Sequence, residues 1–417
     1  MVGSNKHTRN LCCEGELEAT VPTLPQEIIL EVLLRLPVKS LCRFRCVSKS
    51  WRFIISSPQF AKTHLDVAFQ NKTLFSRRRR IIFSALNLYS VEYESMCSVD
   101  DGDVVAVELD YPLKDNPNAL GDVLGSKKND LVYFKVSEDE DENPVMVKVD
   151  VQSSVNPRNW VEIWGSCNGL VCIAPDEDTL FLFNPSTGES KRILEESFSG
   201  PATCGVTAYG FGYDSTSDDY KVVRIDTDSS FSVYSSRTDS WRRIGTFPYD
   251  CSVYNSGMFL HGALHWVATS REDEDDKYVV SVFDLREELF WGMPAPDVDD
   301  SFEFAVGTLN GCLCILYSRD DLHDDFWVMR EYGVGDSWAR FSISLPYICM
   351  KPLCLAKNGE ALLEVDGRLV QYNLEEDTYK VLGIQGIPVG VGFEADTYIE
   401  SLTSPNGFFG REFQMYN

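Results

Sequence analysis

The hydrophobic rhythm of the chain changes near residue 70. In the 28 residues LPQEIILEVLLRLPVKSLCRFRCVSKSW, Leu24 to Trp51, apolar side chains recur at helical spacing. Ile28, Ile29, Val32, Leu33 and Leu36 make one stripe. Pro25 stands where a first helical turn tolerates a missing N–H, and Pro37 stops the helix. A second helix is expected through Leu41, Phe44 and Val47. A third starts at Ser48, a good capping residue, and carries Trp51, Ile54 and Ile55. Each helix is too short to stand alone in water, and three together make a marginal core. Such a unit either caps the large domain or offers its surplus apolar surface to a partner.

Beyond residue 70 the period moves from 3.6 toward 2, and short apolar strands alternate with Gly, Asn, Asp and Ser turns. Four stretches resemble one another: NGLVCI from Asn168, HGALHWV from His261, NGCLCIL from Asn310 and NGEALLEV from Asn358. Their spacings are 93, 49 and 48 residues, and the long gap holds a further unit, YGFGYDSTSDDYKVV from Tyr209. A second register runs through Arg192, Trp241, Phe290, Trp338 and Tyr379, at spacings of 49, 49, 48 and 41. A period near 48 built of short strands predicts a β-propeller, because a four-stranded blade needs neighbours on both faces. Five units fall between residues 160 and 385. Residues 73–155 are expected to add a sixth, starting from the strand–turn–strand pattern TLFSRRRRIIFSALNLYSVEYES, and VGVGFEADTYIESLTSPN a closing strand. Seven units, or an open two-sheet arrangement, also fit the pattern.

The 417 residues suit one small and one large domain. Thirteen scattered cysteines without framework spacing predict reduced thiols, and hence cytoplasm or nucleus. No apolar run is long enough to span a membrane. The net charge of −26 is uneven: residues 21–80 hold twelve Lys/Arg against three acids, so this segment is +9 and the remainder −35. Two such surfaces suit two partners, and the acidic bulk argues against nucleic acid.

The Leu24–Trp51 run, extended through SPQFAKTHL to Leu65, resembles an F-box of the plant type. The later motifs SCNGLVCI from Ser166, FNPSTG from Phe183, GFGYD from Gly210 and YIESL from Tyr398 resemble the F-box-associated domain of plant F-box/kelch proteins, although the double-Gly signature of typical kelch repeats is missing. The resemblance implies a multidomain α + β chain: a tail at 1–20, an F-box at 21–66, a kelch-like propeller of about six blades at 73–405 and a tail at 406–417. It implies docking onto the acidic Skp-type adaptor of cullin–RING (SCF) ubiquitin ligases. By position the contacts fall on Leu24, Pro25, Ile28, Leu33, Leu36, Pro37, Leu41, Val47 and Trp51, some of which must also hold the helices together. The expected function is a non-catalytic substrate receptor. The adaptor links it to cullin and RING subunits, and the propeller holds a target protein. The alternatives are a non-ligase scaffold carrying an F-box, or a propeller enzyme.

Other chemistry is thin. His261 and His265 lie four apart with no third ligand, and Cys312 and Cys314 alternate along a strand rather than forming a zinc loop. With five histidines, at 7, 64, 261, 265 and 323, a copper propeller oxidase is a poor fit. No cofactor or metal is expected. Arg77–Arg80 reads as a solvated loop before a strand. The acid runs 138–142, 272–276 and 320–325 read as solubilising loops or as attraction for a basic partner.

Overall fold

The computed structural model describes residues 24–85, 87–97, 104–114, 133–134, 146–147, 161–176, 179–194, 206–226, 228–249, 255–269, 278–296, 303–318, 324–345, 347, 350–356, 359–387 and 392–406. The three acid runs fall outside these residues, apart from a strand start at 324–325, as do the tail at 1–20 and most of that at 406–417. Five helices come first: α1 (Gln26–Arg35), α2 (Val38–Phe44), α3 (Lys49–Ile55), α4 (Pro58–Gln70) and α5 (Lys72–Arg78). Pro25 and Pro37 hold the N-cap positions of α1 and α2. The Ser48 side chain caps α3 by accepting the Trp51 N–H at 3.1 Å. Ser57 and Asn71 cap α4 and α5 in the same way.

The helical run reaches Arg78, so the Thr73–Arg78 half of the expected strand–turn–strand is a helix. Asn71 is the physical reason, its side chain accepting from the backbone N–H groups of Thr73 and Leu74. Only the second half, Arg79–Ser84 with Leu88–Glu92, is a hairpin.

Among the described residues the strands form six four-stranded antiparallel units and two further pairs of two-residue strands. Four of the six are separate sheets. The other two share an eight-stranded sheet, joined where Val206–Asp214 and Asn255–Leu260 pair in parallel. Blade 1 begins with Arg79–Ser84 but takes its innermost strand, Glu394–Ile399, from the other end of the chain, in the register Arg79↔Ile399 to Ser84↔Glu394. Blades 2 to 6 span Glu162–Ile193, Val206–Thr246, Asn255–Pro294, Glu303–Ile343 and Met350–Leu382, and their innermost strands begin each span.

Six apolar clusters lie between these blades, one at each adjacent pair. Ile81 and Phe83 face Cys354 and Leu362 of blade 6, whereas Ile82 faces Val171 and Phe183 of blade 2. Cys172 and Leu182 face Phe211 and Trp241; Val223 faces Trp266; Val282 faces Ile315; Cys314 faces Ala361. Strand alternation thus sends successive residues to opposite neighbours, and both faces of a blade are buried. That accounts for strands such as Thr179–Phe183, which are buried at every position.

The sequence repeats are turns. Asn168-Gly169, His261-Gly262 and Asn310-Gly311 all have positive φ at both residues, the two-residue hairpin that Asn and Gly favour. Asp239, Glu288 and Asp377, φ 53–55°, close the later hairpin of their blades.

Candidate adaptor-docking site

Leu33, Leu34, Val38, Leu41, Ile55, Phe60 and Ala61 are buried together as the core of the helical module. Ile29, Leu36, Phe44, Trp51 and Ile54 pack against them, and the Phe44 and Trp51 rings meet edge-on at 5.3 Å. The apolar stripe of α1 is therefore two faces. Ile29 and Leu33 point inward, while Ile28 and Val32 (52% exposed) point outward.

The nine residues expected to touch the adaptor divide accordingly. Leu24 (64% exposed), Pro25, Ile28, Pro37 and Val47 (63%) are at the surface. Leu36 and Trp51 are half-buried, and Leu33 and Leu41 are sealed in the core. Three exposed apolar residues escape the sequence reading: Leu30, Val32 and Phe53, the last 79% exposed. Phe53 had a legible signal, since it lies off the Trp51–Ile54–Ile55 stripe of α3. Lys39, Arg43, Lys49 and Arg52 are exposed on the same module.

The module is fixed to the ring by buried polar chemistry. Arg78, read from sequence as part of a solvated loop, is 2% exposed. Its guanidinium donates to the carbonyls of His64 (2.7 Å), Leu34 (2.8 Å) and Leu36 (3.3 Å), capping the C-terminal end of α1. It also donates to His64 Nδ1 at 3.2 Å, which leaves His64 Nε2–H to donate to the Leu36 carbonyl at 2.9 Å. Burial, with the Arg78 charge second, pulls His64 down to about 4. Burial pulls Arg78 down to about 10, against a longer-range attraction from Glu400. Arg80 bridges Glu400 at 2.6 Å and Glu92 at 3.0 Å. Arg79 lies over the rings of Phe75 and Tyr93, at 5.3 and 5.6 Å.

Gly169, Asn184, Glu189 and Asp218 are ring residues that meet the helices or the segment beneath them. All lie in turns joining the first to the second or the third to the fourth strand of blades 2 and 3. The helices therefore sit on the face of the ring that carries these turns.

The other candidate residues lie in the strands and turns of the ring. His265 is buried, its Nδ1 3.0 Å from the Met258 carbonyl oxygen and its Nε2 2.7 Å from the Tyr332 hydroxyl, and burial draws it down to about 4. His261 stacks edge-on against Tyr332, at 4.8 Å. Cys314 is buried between blades 5 and 6. No described helix is long and apolar enough to cross a membrane.

Among the described residues, a short helical unit with exposed apolar side chains is seated on a ring of six four-stranded units. Residues 22–63 match the F-box domain family, and residues 126–383 match the family described as the F-box associated beta propeller domain. The second match covers more than half of the chain, which belongs to the F-box-associated β-propeller family. The chain is 29% identical over 401 residues to the F-box/kelch-repeat protein At3g23880 of Arabidopsis thaliana, covering 92% of this chain and 96% of the relative. It is 29% identical over 419 residues to F-box protein CPR1 of the same plant (91% and 88%) and 26% over 420 residues to F-box protein At3g07870 (88% of each). An F-box in general binds a Skp-type adaptor, and an F-box joined to this propeller has the general organisation of an SCF substrate adaptor.

Proposed function

We propose that this protein is the target-holding subunit of a cullin–RING ubiquitin ligase, working in the cytoplasm or nucleus. The observation that carries the reading is the outward set Leu24, Ile28, Val32, Val47 and Phe53. A module of this size with a full core has no internal use for five more exposed apolar side chains. Their desolvation by an acidic adaptor would give the affinity, and the exposed Lys39, Arg43, Lys49 and Arg52 of the same module would favour encounter. The chain performs no bond chemistry. The ring holds a target protein through its inter-strand turns, and ubiquitin transfer follows because target lysines are kept near a charged enzyme elsewhere in the assembly.

The test is reconstitution. The purified chain, Skp-type adaptor, cullin and RING subunit are combined with ubiquitin-activating and -conjugating enzymes and with proteins captured by the ring from native extract under proteasome blockade. The proposal predicts ubiquitin on a captured protein only when the F-box is intact. Adaptor binding without any modified partner would make the chain a scaffold instead.

A further inference from the structure

We propose that the strap Glu400–Ser404 makes the adaptor-docking fold conditional on closure of the ring, so that only a completed receptor is competent to load onto its adaptor. The inference rests on the docking role of the helical module. Its observations are separate from the surface that carries that role.

The strap follows directly from Glu394–Ile399, the innermost strand of blade 1. Ile399 packs with Leu65, Ala68 and Phe75 beneath α4 and α5. Three residues on, Leu402 enters the core of the helical module, 5% exposed, among Leu33, Leu34, Leu41, Ile55 and Phe60. A core of this size is thus completed by a side chain more than 330 positions downstream of most of its members.

The ring grips the same strap from the other side. Asn184 donates to the carbonyls of Ser401 (3.1 Å) and Thr403 (2.7 Å), and Ser404 donates to Glu189 at 2.6 Å. The Glu400 N–H donates to the Arg78 carbonyl at 2.8 Å, while its carboxylate holds Arg80. Gly169 leaves no slack: a Cβ there would lie 2.2 Å from Ser401 Oγ and 2.6 Å from the Ile399 carbonyl oxygen. Arg78, the residue before the first strand, in turn ties α1 to the ring. One segment therefore closes the ring, fills the helical core and joins the two. Because α1 to α3 are too short to hold their shape alone, removing Leu402 should loosen them while the middle blades, each covered by two neighbours, keep theirs. In chain order the F-box is made first, yet it gains its last core residue only after the sixth blade.

The experiment uses the full chain and two readouts. Hydrogen exchange follows amides of α1 and α4 against those of Asp219–Ser235 in blade 3, and titration measures binding of purified Skp-type adaptor. Leu402→Asp should speed exchange in the helices at least about tenfold, leave blade 3 within about twofold, and weaken adaptor binding at least about tenfold. Asn184→Ala, which touches the strap only from the ring, should move both readouts the same way by a smaller factor. If Leu402→Asp does not fold, Leu402→Ala and Asn184→Ala carry the same prediction. Helices as protected as wild type in the variants that fold overturn the proposal, as does adaptor affinity unchanged within about twofold. Coupled exchange in a wild-type chain that binds no adaptor would overturn the docking reading and the loading claim but leave the mechanical coupling standing.

Discussion

In the ring, blades 2 to 6 solve the same problem in the same way. A two-residue or αL-closed turn sets the register, and alternate side chains of each strand go to the two neighbouring blades. In the helical module nothing repeats. Its core is closed by Leu402, its first helix is capped by Arg78, and its outer apolar face is left bare. The ring is stabilised by many similar local interfaces, the module by a few long-range contacts that differ in kind. The module should therefore be the part more easily switched off by single changes, which suits an element meant to engage a partner.

Arg78→Met is the sharpest break of this comparison. It keeps the apolar stem but takes the guanidinium donors from the buried carbonyls of Leu34, His64 and Leu36, the last of which keeps the His64 Nε2–H, at a cost of about 3 kcal/mol. Exchange protection should collapse in α1 and α4 and persist in blades 3 to 5. A uniform loss across the chain would mean that module and ring unfold as one unit.

A pair of glycine substitutions asks whether identical turns differ by context. Gly169 and Gly311 occupy the same Asn-Gly hairpin position, with φ of 83° and 79°. A Cβ at Gly311 meets open space, so Gly311→Ala should cost only the left-handed backbone strain, about 1–2 kcal/mol. Gly169→Ala adds a clash with backbone and should cost about 3 kcal/mol or more, by thermal or denaturant unfolding.

Acid should separate the regions by residue. His64 and His265 are both held near 4, below the ordinary value of 6.5, because burial disfavours their charged forms. A depressed pKa gives stability that is present above about 6.5 and is lost as pH falls toward 4, on the order of 2–3 kcal/mol for each residue. His64→Gln should flatten that loss in the helices and leave it in blade 4, where His265 lies. Glu364 titrates oppositely. Burial raises it to about 8, with a smaller push from Glu394 and Asp366 against the pull of the Gly367 N–H and Lys351. The folded state thus loses stability as pH climbs from 4.5 through 8, and Glu364→Gln should raise the unfolding temperature at pH 8.5 more than at pH 5.

The smallest effect is expected at Lys62. Its bridge to Asp218, at 3.2 Å, is about half-exposed at both ends, so Lys62→Ala should cost less than about 0.5 kcal/mol and report on salt rather than on docking.

What could be read in advance follows the same division. The six-unit ring was legible because its turns are local: Asn168, His261 and Asn310 each need positive φ, and they recur at the blade period. His261 takes the place of Asn in that turn, which explains a His pair that on a helix would have suggested zinc. The closing strand was legible too, since a ring must seal its ends. Arg77–Arg80 misled because a basic run ahead of a strand looks solvated, and only the fold brings three carbonyls to Arg78. The two faces of α1 could not be told apart from periodicity, because Ile28, Ile29, Val32 and Leu33 satisfy one wide stripe equally well. Leu402 was legible only as the last residue of the YIESL motif, with no local sign that it enters the helical core; its partners there lie more than 330 positions away.

The most direct measurement of the central claim is a titration of purified Skp-type adaptor against the full chain and against a Val47→Asp/Phe53→Asp variant. Both positions are exposed and outside the core, so the variant should unfold at the wild-type temperature. The account predicts saturable binding by the wild type and at least a tenfold loss in the variant. Equal binding by both, or none by a folded wild type, would contradict it.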